Sequence, residues 1–313
     1  MRWLGLLLGA GLDVLIADPR RAHPVAVFGR AATAVESRIW ADARGRGVVF
    51  ALGCVGSAAT AGLLVERASR WTPLRVAVVA LSTWAVLGGT TLAREALTMS
   101  RLLDNSDLPA AREHLAHLCG RDASMLDTAE LARGTVESVA ENTSDAVVAP
   151  LFWGAVAGTP GLLAYRAVNT LDAMVGHHNP RYERFGWAAA KLDDLANLIP
   201  ARLTGILAAG LAPLVGGSPV AALRAMRRDG GNHPSPNAGQ CEAAFAGALG
   251  VRLGGTNVYG DAAQQRGPLG DGRRPEPADI ARAVRLSRAV GIASVALAAG
   301  MSWFRSWSAG RRG

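Results

Sequence analysis

Lysine is almost missing from this chain: Lys191 is the single lysine among 33 lysine and arginine residues. It follows three alanines and no glycine-rich turn, so a phosphate loop of the form GxxxxGK[ST] is excluded. Charge of any kind is scarce, 19% of residues against about 25% in an average soluble domain. Cysteine is limited to Cys54, Cys119 and Cys241, far apart and without a CxxC pair. That excludes a disulfide framework and fits a reducing, cytosol-facing protein. No repeat of solenoid length and no long low-complexity tract is visible. The apolar run after Arg2 lacks a small-x-small site and is interrupted by Asp13, so a cleaved signal peptide is not expected.

What the chain does have is apolar length. Half of its 313 residues are hydrophobic and mean hydropathy is +0.19. Stretches at residues 3–17, 48–65, 74–93, 146–168, 199–217 and 289–304 approach or reach the roughly 20 residues that a bilayer crossing needs. Several such runs in one chain predict an all-α, polytopic integral membrane protein, read as one membrane domain over residues 1–313 with helical and loop segments between the spans. The formal charge of +8 sits between the apolar runs, not on an interleaved basic and aromatic surface. It suits loops beside an anionic leaflet and argues against nucleic acid. The fourth stretch breaks at Gly158-Thr159-Pro160-Gly161, which predicts two half-length helices and a re-entrant hairpin. Asp107-Leu108-Pro109 marks a helix start, and residues 260–277 read as a flexible loop.

Four groups of polar residues stand at the ends of these runs. Arg133, Glu137, Glu141 and Asp145 are spaced by four and so share one helical stripe. Three carboxylates there repel unless a cation or an arginine neutralises them; hard oxygens of this kind suit Mg²⁺ with phosphate, and a solvated helix face is the alternative. In Tyr165–Arg202, Asn169 and Asp172 form one pair, Asp193 and Asp194 face Asn197, and Lys191 and Arg202 flank them. Such groups beside an apolar helix are costly in lipid unless used. In NHPSPNAG (residues 232–239), Ser235-Pro236 has the form of an N-cap with proline at the first helical position. That helix start is a seat for an anion or an ordinary cap. Asp18-Pro19 and His23-Pro24-Val25 read as an interfacial loop. His114, His117 and Cys119 mimic metal spacing but read as a surface helix, His177-His178 as a loop, and Cys241 as a thiol without a basic partner.

The segments ADPRRAHPV, ESVAENTSDAVVAPLFW, YRAVNTLDAMVGHHNPRYERFGWAAAKLDDLANLIPARLT and HPSPNAGQCEAAFAGALGVRLGG together resemble the CobD/CbiB family of cobalamin biosynthesis, in family order from Asp13 to about Gly260. The resemblance implies a multi-pass cell-membrane protein, active on the cytoplasmic side, that joins aminopropanol or its phosphate to the corrinoid adenosylcobyric acid. ATP with Mg²⁺ would drive amide formation. On that basis Asp193, Asp194, Lys191, Asp172 and Glu141 are assigned catalytic roles. Arg202, Asn169, His233, Ser235, Asn237 and Asn197 are assigned to substrate, and Glu137, Glu141 and Asp145 to metal. Membrane lipid and other cobalamin-biosynthesis proteins are candidate partners. Competing readings are a membrane subunit active only with a soluble partner, an intramembrane Mg²⁺-dependent prenyltransferase-like enzyme, and a transporter. Counting crossings puts residues 169–198 and 218–288 on opposite sides unless a segment such as 146–168 is re-entrant.

Overall fold

The computed structural model describes residues 1–18, 23–177, 179–259 and 262–311; Pro19, His178 and Gly260, named above, lie outside them. In chain order the elements are α1 (Arg2–Ile16), α2 (Pro24–Ile39), α3 (Arg44–Ala68), α4 (Thr72–Val86), α5 (Gly89–Asp104), α6 (Leu108–Leu115) and α7 (Thr128–Thr143). After a π-helical turn (Ser144–Val148) come α8 (Ala149–Ala157), α9 (Thr159–Val175), α10 (Trp187–Leu211), α11 (Pro219–Asp229) and α12 (Ala238–Leu249). A hairpin of β1 (Leu253–Tyr259) and β2 (Ala262–Leu269) precedes α13 (Pro277–Gly310). The chain divides into two compact units: residues 1–88, 149–197 and 294–313 form the first, residues 89–148 and 198–293 the second.

The first unit is built on close helix approach. Gly5 and Gly9 on α1 lie against α4, where an added Cβ would meet Val79 Cβ at 2.5 Å and Thr83 Cβ at 2.4 Å. Glycines spaced by four let two backbones pack where lipid offers no hydrophobic drive. α3 packs on α9, with the rings of Phe50 and Phe185 5.1 Å apart and tilted, in a buried cluster with Leu171 and Val175. α8 and α9 pack side by side about Gly158, whose φ of +72° favours glycine; the predicted break is a helical hairpin. Pro200 within α10 cannot donate to the carbonyl of Ala196, and Trp153 Nε1 donates to that carbonyl at 3.0 Å.

The second unit has the larger core, in which Met99, Leu115, Leu131, Phe245, Leu253 and Leu269 are fully enclosed. α11 packs on α12, and α7 packs on both α5 and α12. The flexible-loop expectation for residues 260–277 is corrected: residues 262–269 pair antiparallel with β1, Leu253 opposite Leu269, with an irregularity between Leu253 and Gly255. Gly254 and Gly255 adopt φ of +81° and +101° there, which only glycine takes without strain. Burial of both leucines fastens the hairpin to the core. The remainder is helical, as the apolar pattern predicts.

Among the described residues, four stretches are long and apolar enough to cross a membrane: Arg44–Ala68, Thr72–Asp104, Trp187–Val215 and Pro277–Ser308. They contain or overlap the apolar runs at 48–65, 74–93, 199–217 and 289–304. Only 22% of the most apolar window of α3 is buried, and Val49, Leu52 and Leu64 are exposed. On α10, Leu195, Ile199 and Ile206 form an exposed apolar stripe. Such faces need lipid, and the chain is a membrane protein. α1, at 15 residues, is about 22 Å long and short of the ~30 Å hydrocarbon core.

Candidate functional site

In the first unit, α9 and the first turns of α10 bring the second sequence group together. Asp193 is the hub. Its Oδ2 accepts from Asn197 Nδ2 at 3.0 Å and its Oδ1 from Asn169 Nδ2 at 3.4 Å. Tyr165 OH donates to Asn197 Oδ1 at 2.9 Å, and both residues are buried. The amide of Asn197 is thereby oriented, since its oxygen is already used. Lys191 Nζ pairs with Asp194 Oδ2 at 2.9 Å, more exposed than Asp193's partners. Asp172, one turn from Asn169 on α9, is half-buried. Asp18 Oδ1 lies 3.3 Å from His23 Nε2, and His23 Nδ1 caps α2 by accepting from Val25 N–H.

The second unit holds the carboxylate stripe, and Glu137 there is engaged by arginine. Its Oε1 accepts from Arg133 Nη1 at 3.2 Å and from Gly254 N–H at 2.8 Å; its Oε2 accepts from Arg121 Nη2 at 2.5 Å. Glu137 is thus a clasp between two guanidiniums and the hairpin, with Oε1 accepting two bonds and Oε2 one. Glu141 continues the stripe on α7, but Asp145 falls on the π turn, where a spacing of four no longer repeats one face. Pro150, lacking an N–H for the Ala146 carbonyl, gives the helix a reason to widen there.

The third group lies in this same unit. α12 starts at Ala238 rather than at Pro236, a correction of two residues. Its N-cap is Asn237, whose side chain makes no capping bond; Ser235, two residues earlier, accepts at Oγ from Asn237 N–H at 3.3 Å and Ala238 N–H at 3.2 Å. Arg202 Nη1 donates to Asn237 Oδ1 at 3.3 Å, so Arg202 is joined to this group and not to Asp193. His233 Nε2 stands 3.6 Å from Glu242 Oε1, and Arg266 Nη1 stands 3.8 Å from the same oxygen. Burial, and then the charge of Arg266, lowers His233 to about 4. Burial, and then the charges of Glu137 and Glu141, raises the Glu242 carboxyl well above its ordinary range. His233 Nε2 and both Glu242 oxygens make no hydrogen bond among the described residues, so the pair is buried beside Arg266 with its polar atoms held only at ion-pair distance.

Sequence reasoning missed Arg121, Glu242 and Arg266. Glu242 had a signal: it is the lone charge in the apolar run of α12. The two arginines had none, because their partners are distant in sequence. Burial, then the charge of Asp145, raises the Cys241 thiol, which leaves it inert. Among the described residues, one group of three His, Cys, Asp or Glu brings ligand atoms within 4.8 Å, namely Glu95, His114 and His117. His114 Nε2 faces the Glu95 carbonyl oxygen at 3.0 Å, so this group works as a clasp between α5 and α6.

A family model described as CobD/Cbib protein matches residues 6–287. The chain belongs to the CobD/CbiB family. It is 53% identical over 298 residues to a cobalamin biosynthesis protein CobD of Mycobacterium tuberculosis (strain CDC 1551 / Oshkosh), covering 95% of each chain. It is 48% identical over 298 residues to a CobD of Geobacter metallireducens, covering 93% of this chain and 94% of the relative. A Rhodobacter capsulatus CobD is 41% identical over 297 residues, with 90% and 92% covered. No solved structure matches the chain. In this CobD/CbiB protein the motif residues divide between the units: Asn169, Asp172, Lys191, Asp193, Asp194 and Asn197 in the first, and Glu137, Glu141, Asp145, Arg202, His233, Ser235 and Asn237 in the second.

Proposed function

We propose that this CobD/CbiB protein serves cobalamin biosynthesis as its membrane-bound amide-forming synthase, joining aminopropanol or its phosphate to adenosylcobyric acid at the cost of ATP. A carboxylate does not condense with an amine in water without activation. Its oxygen would attack the terminal phosphorus of ATP, releasing ADP. The amine nitrogen would then attack the acyl carbon, forming the C–N bond as the C–O bond to phosphate breaks and the amine proton passes to a base. The result is adenosylcobinamide or its phosphate.

The observation that carries this reading is Asp193, held between the amides of Asn169 and Asn197 with Asp194 and Lys191 beside it. A carboxylate fixed in this way is preorganised to hold a cation. Mg²⁺ suits the donor set, because it takes one or two carboxylates together with substrate phosphates. Asp193 and Asp194 would hold it, and it would supply neutralisation of phosphate charge. Asp172 offers a base for the amine proton, and Lys191 a cation for phosphate oxygen. A cytoplasmic position for this group would fit soluble substrates; the arginines of residues 224–288 favour the cytoplasm for that segment, and the two hold together only with a re-entrant segment such as 146–168.

The test uses purified protein in detergent with adenosylcobyric acid, aminopropanol phosphate, ATP and Mg²⁺, product being read by chromatography. Asp193→Ala and Asp194→Ala are each expected to lower turnover about a hundredfold or more, the scale of losing one preorganised electrostatic contact. Full turnover in both variants, or turnover without ATP, overturns the reading.

A further inference from the structure

A cavity of about 380 Å³ opens in the second unit, between the first turns of α7, the start of β1, β2 and the segment before α13. Four arginines line it, Arg133, Arg252, Arg266 and Arg274, together with the backbone of Gly254–Thr256. Glu130 is the one carboxylate in the lining, and it is turned to the helix end, accepting from Asp127 N–H at 3.0 Å.

Four guanidiniums around one space repel each other, and the compensation within the protein is uneven. Arg133 is matched by Glu137, and it fixes the wall by donating to the carbonyls of Gly254 (2.6 Å) and Thr256 (3.2 Å). Arg274 pairs with Asp127 at 3.1 Å, but both side chains are more than half exposed, a pairing of little strength. Arg266 faces Glu242 at 3.8 Å. Arg252 makes no side-chain bond among the described residues and is exposed. The wall is open at Gly255, where a Cβ would meet nothing nearer than Arg133 Nη1 at 3.9 Å, whereas Gly254 is packed against Gly267. An oxyanion can therefore approach the main chain closely there. Guanidiniums bind phosphate oxygens in a two-pronged geometry that suits such a cleft. The volume lies at the small end of ligand sites, right for a polyphosphate or a small phosphomonoester and too small for a corrin ring.

We propose that this cavity seats the phosphate group of a small soluble ligand. It rests on the proposed reaction only in that ATP and aminopropanol phosphate supply such a group. Its direct test is binding and not turnover. Arg252 is the residue to change, since it carries charge to the cavity and holds no other part of the protein.

The full-length protein in detergent would be titrated calorimetrically, without Mg²⁺, with inorganic triphosphate, ATP and aminopropanol phosphate. At least one is expected to bind, with affinity falling as salt rises. Arg252→Gln is expected to weaken binding by about tenfold or more, Arg252→Lys by less, and neither to change the melting temperature. Equal affinity in Arg252→Gln and the native protein overturns the proposal, as does absence of binding for all three phosphates. A third arm uses nanodiscs with and without phosphatidylglycerol. If anionic lipid competes for Arg252 while no soluble phosphate binds, the surface is a lipid contact and the proposal fails. Asp193→Ala separates this inference from the reaction: lost turnover with native triphosphate affinity supports both. Native turnover in Asp193→Ala with native triphosphate binding overturns the reaction reading and leaves the cavity standing.

Discussion

His233 and Glu242 lie 3.6 Å apart, and burial drives each toward its neutral form. His233, lowered to about 4 from 6.5, stays neutral while the unfolded chain protonates, so its contribution to stability is lost as pH falls from 6.5 to 4. The full shift corresponds to about 3 kcal/mol. Glu242, raised above 4.5, works in the other direction: stability is lost as pH rises through its unfolded value toward its folded one. Where the unfolded His233 is charged while the folded Glu242 is still protonated, the two slopes oppose each other. Melting in detergent should accordingly depend less on pH there for the native pair than for either single variant. Glu242→Gln should lose stability toward acid, and His233→Gln toward alkali. Parallel pH profiles for all three proteins would show that the pair does not titrate on unfolding. At this scale the sequence was informative where partners are near. Asn197 and Asp193 are one turn apart and bond as their spacing implies. That Glu137 is held by Arg121 and Gly254 was not legible, because these partners, 16 and 117 residues away, come to it only in the fold.

The helices were readable from composition, their interruptions less so. The break at Gly158 was visible because glycine and proline punctuate locally. The hairpin at 253–269 was not: its residues resemble loop chemistry, and its order comes from cross-strand pairing and two buried leucines. The π turn likewise arises within a continuous helical pattern. Contact between α1 and α4 offers a test with its own control. Gly9→Ala places a methyl group 2.4 Å from Thr83 Cβ, whereas a Cβ on Gly11, on the same helix, meets nothing within 4 Å. Alanine favours a helix over glycine by about 1 kcal/mol, so Gly11→Ala should hold or raise the melting temperature in detergent. Gly9→Ala should lower it, at about 1–3 kcal/mol of overpacking. Equal melting of the two variants would mean that α1 does not pack on α4 as described.

Membrane character is the property that the whole chain states most openly, because it is a sum over local apolar runs and needs no knowledge of pairing. Exposed apolar faces on α3 and α10 lead to a direct expectation: the protein stays with the pellet when membranes are washed with alkaline carbonate. Recovery in the supernatant would contradict the lipid-facing assignment. The division into two units was hidden from sequence, since each is assembled from separated stretches and no composition change marks residues 88, 148, 197 or 293.

That interleaving has a consequence for how the protein is made. The ribosome supplies every residue of the second unit once position 293 has been added, while the first unit, begun at residue 1, still waits for residues 294–313. Residues 1–88 and 149–197 therefore wait for residues 294–313 before the first unit's contacts can all form. The last turns of α13, where Arg305 donates to the carbonyl of Val156 at 2.8 Å, then act as a closing latch. A nascent chain stalled before residue 294 would carry a finished second unit attached to an unfinished first one.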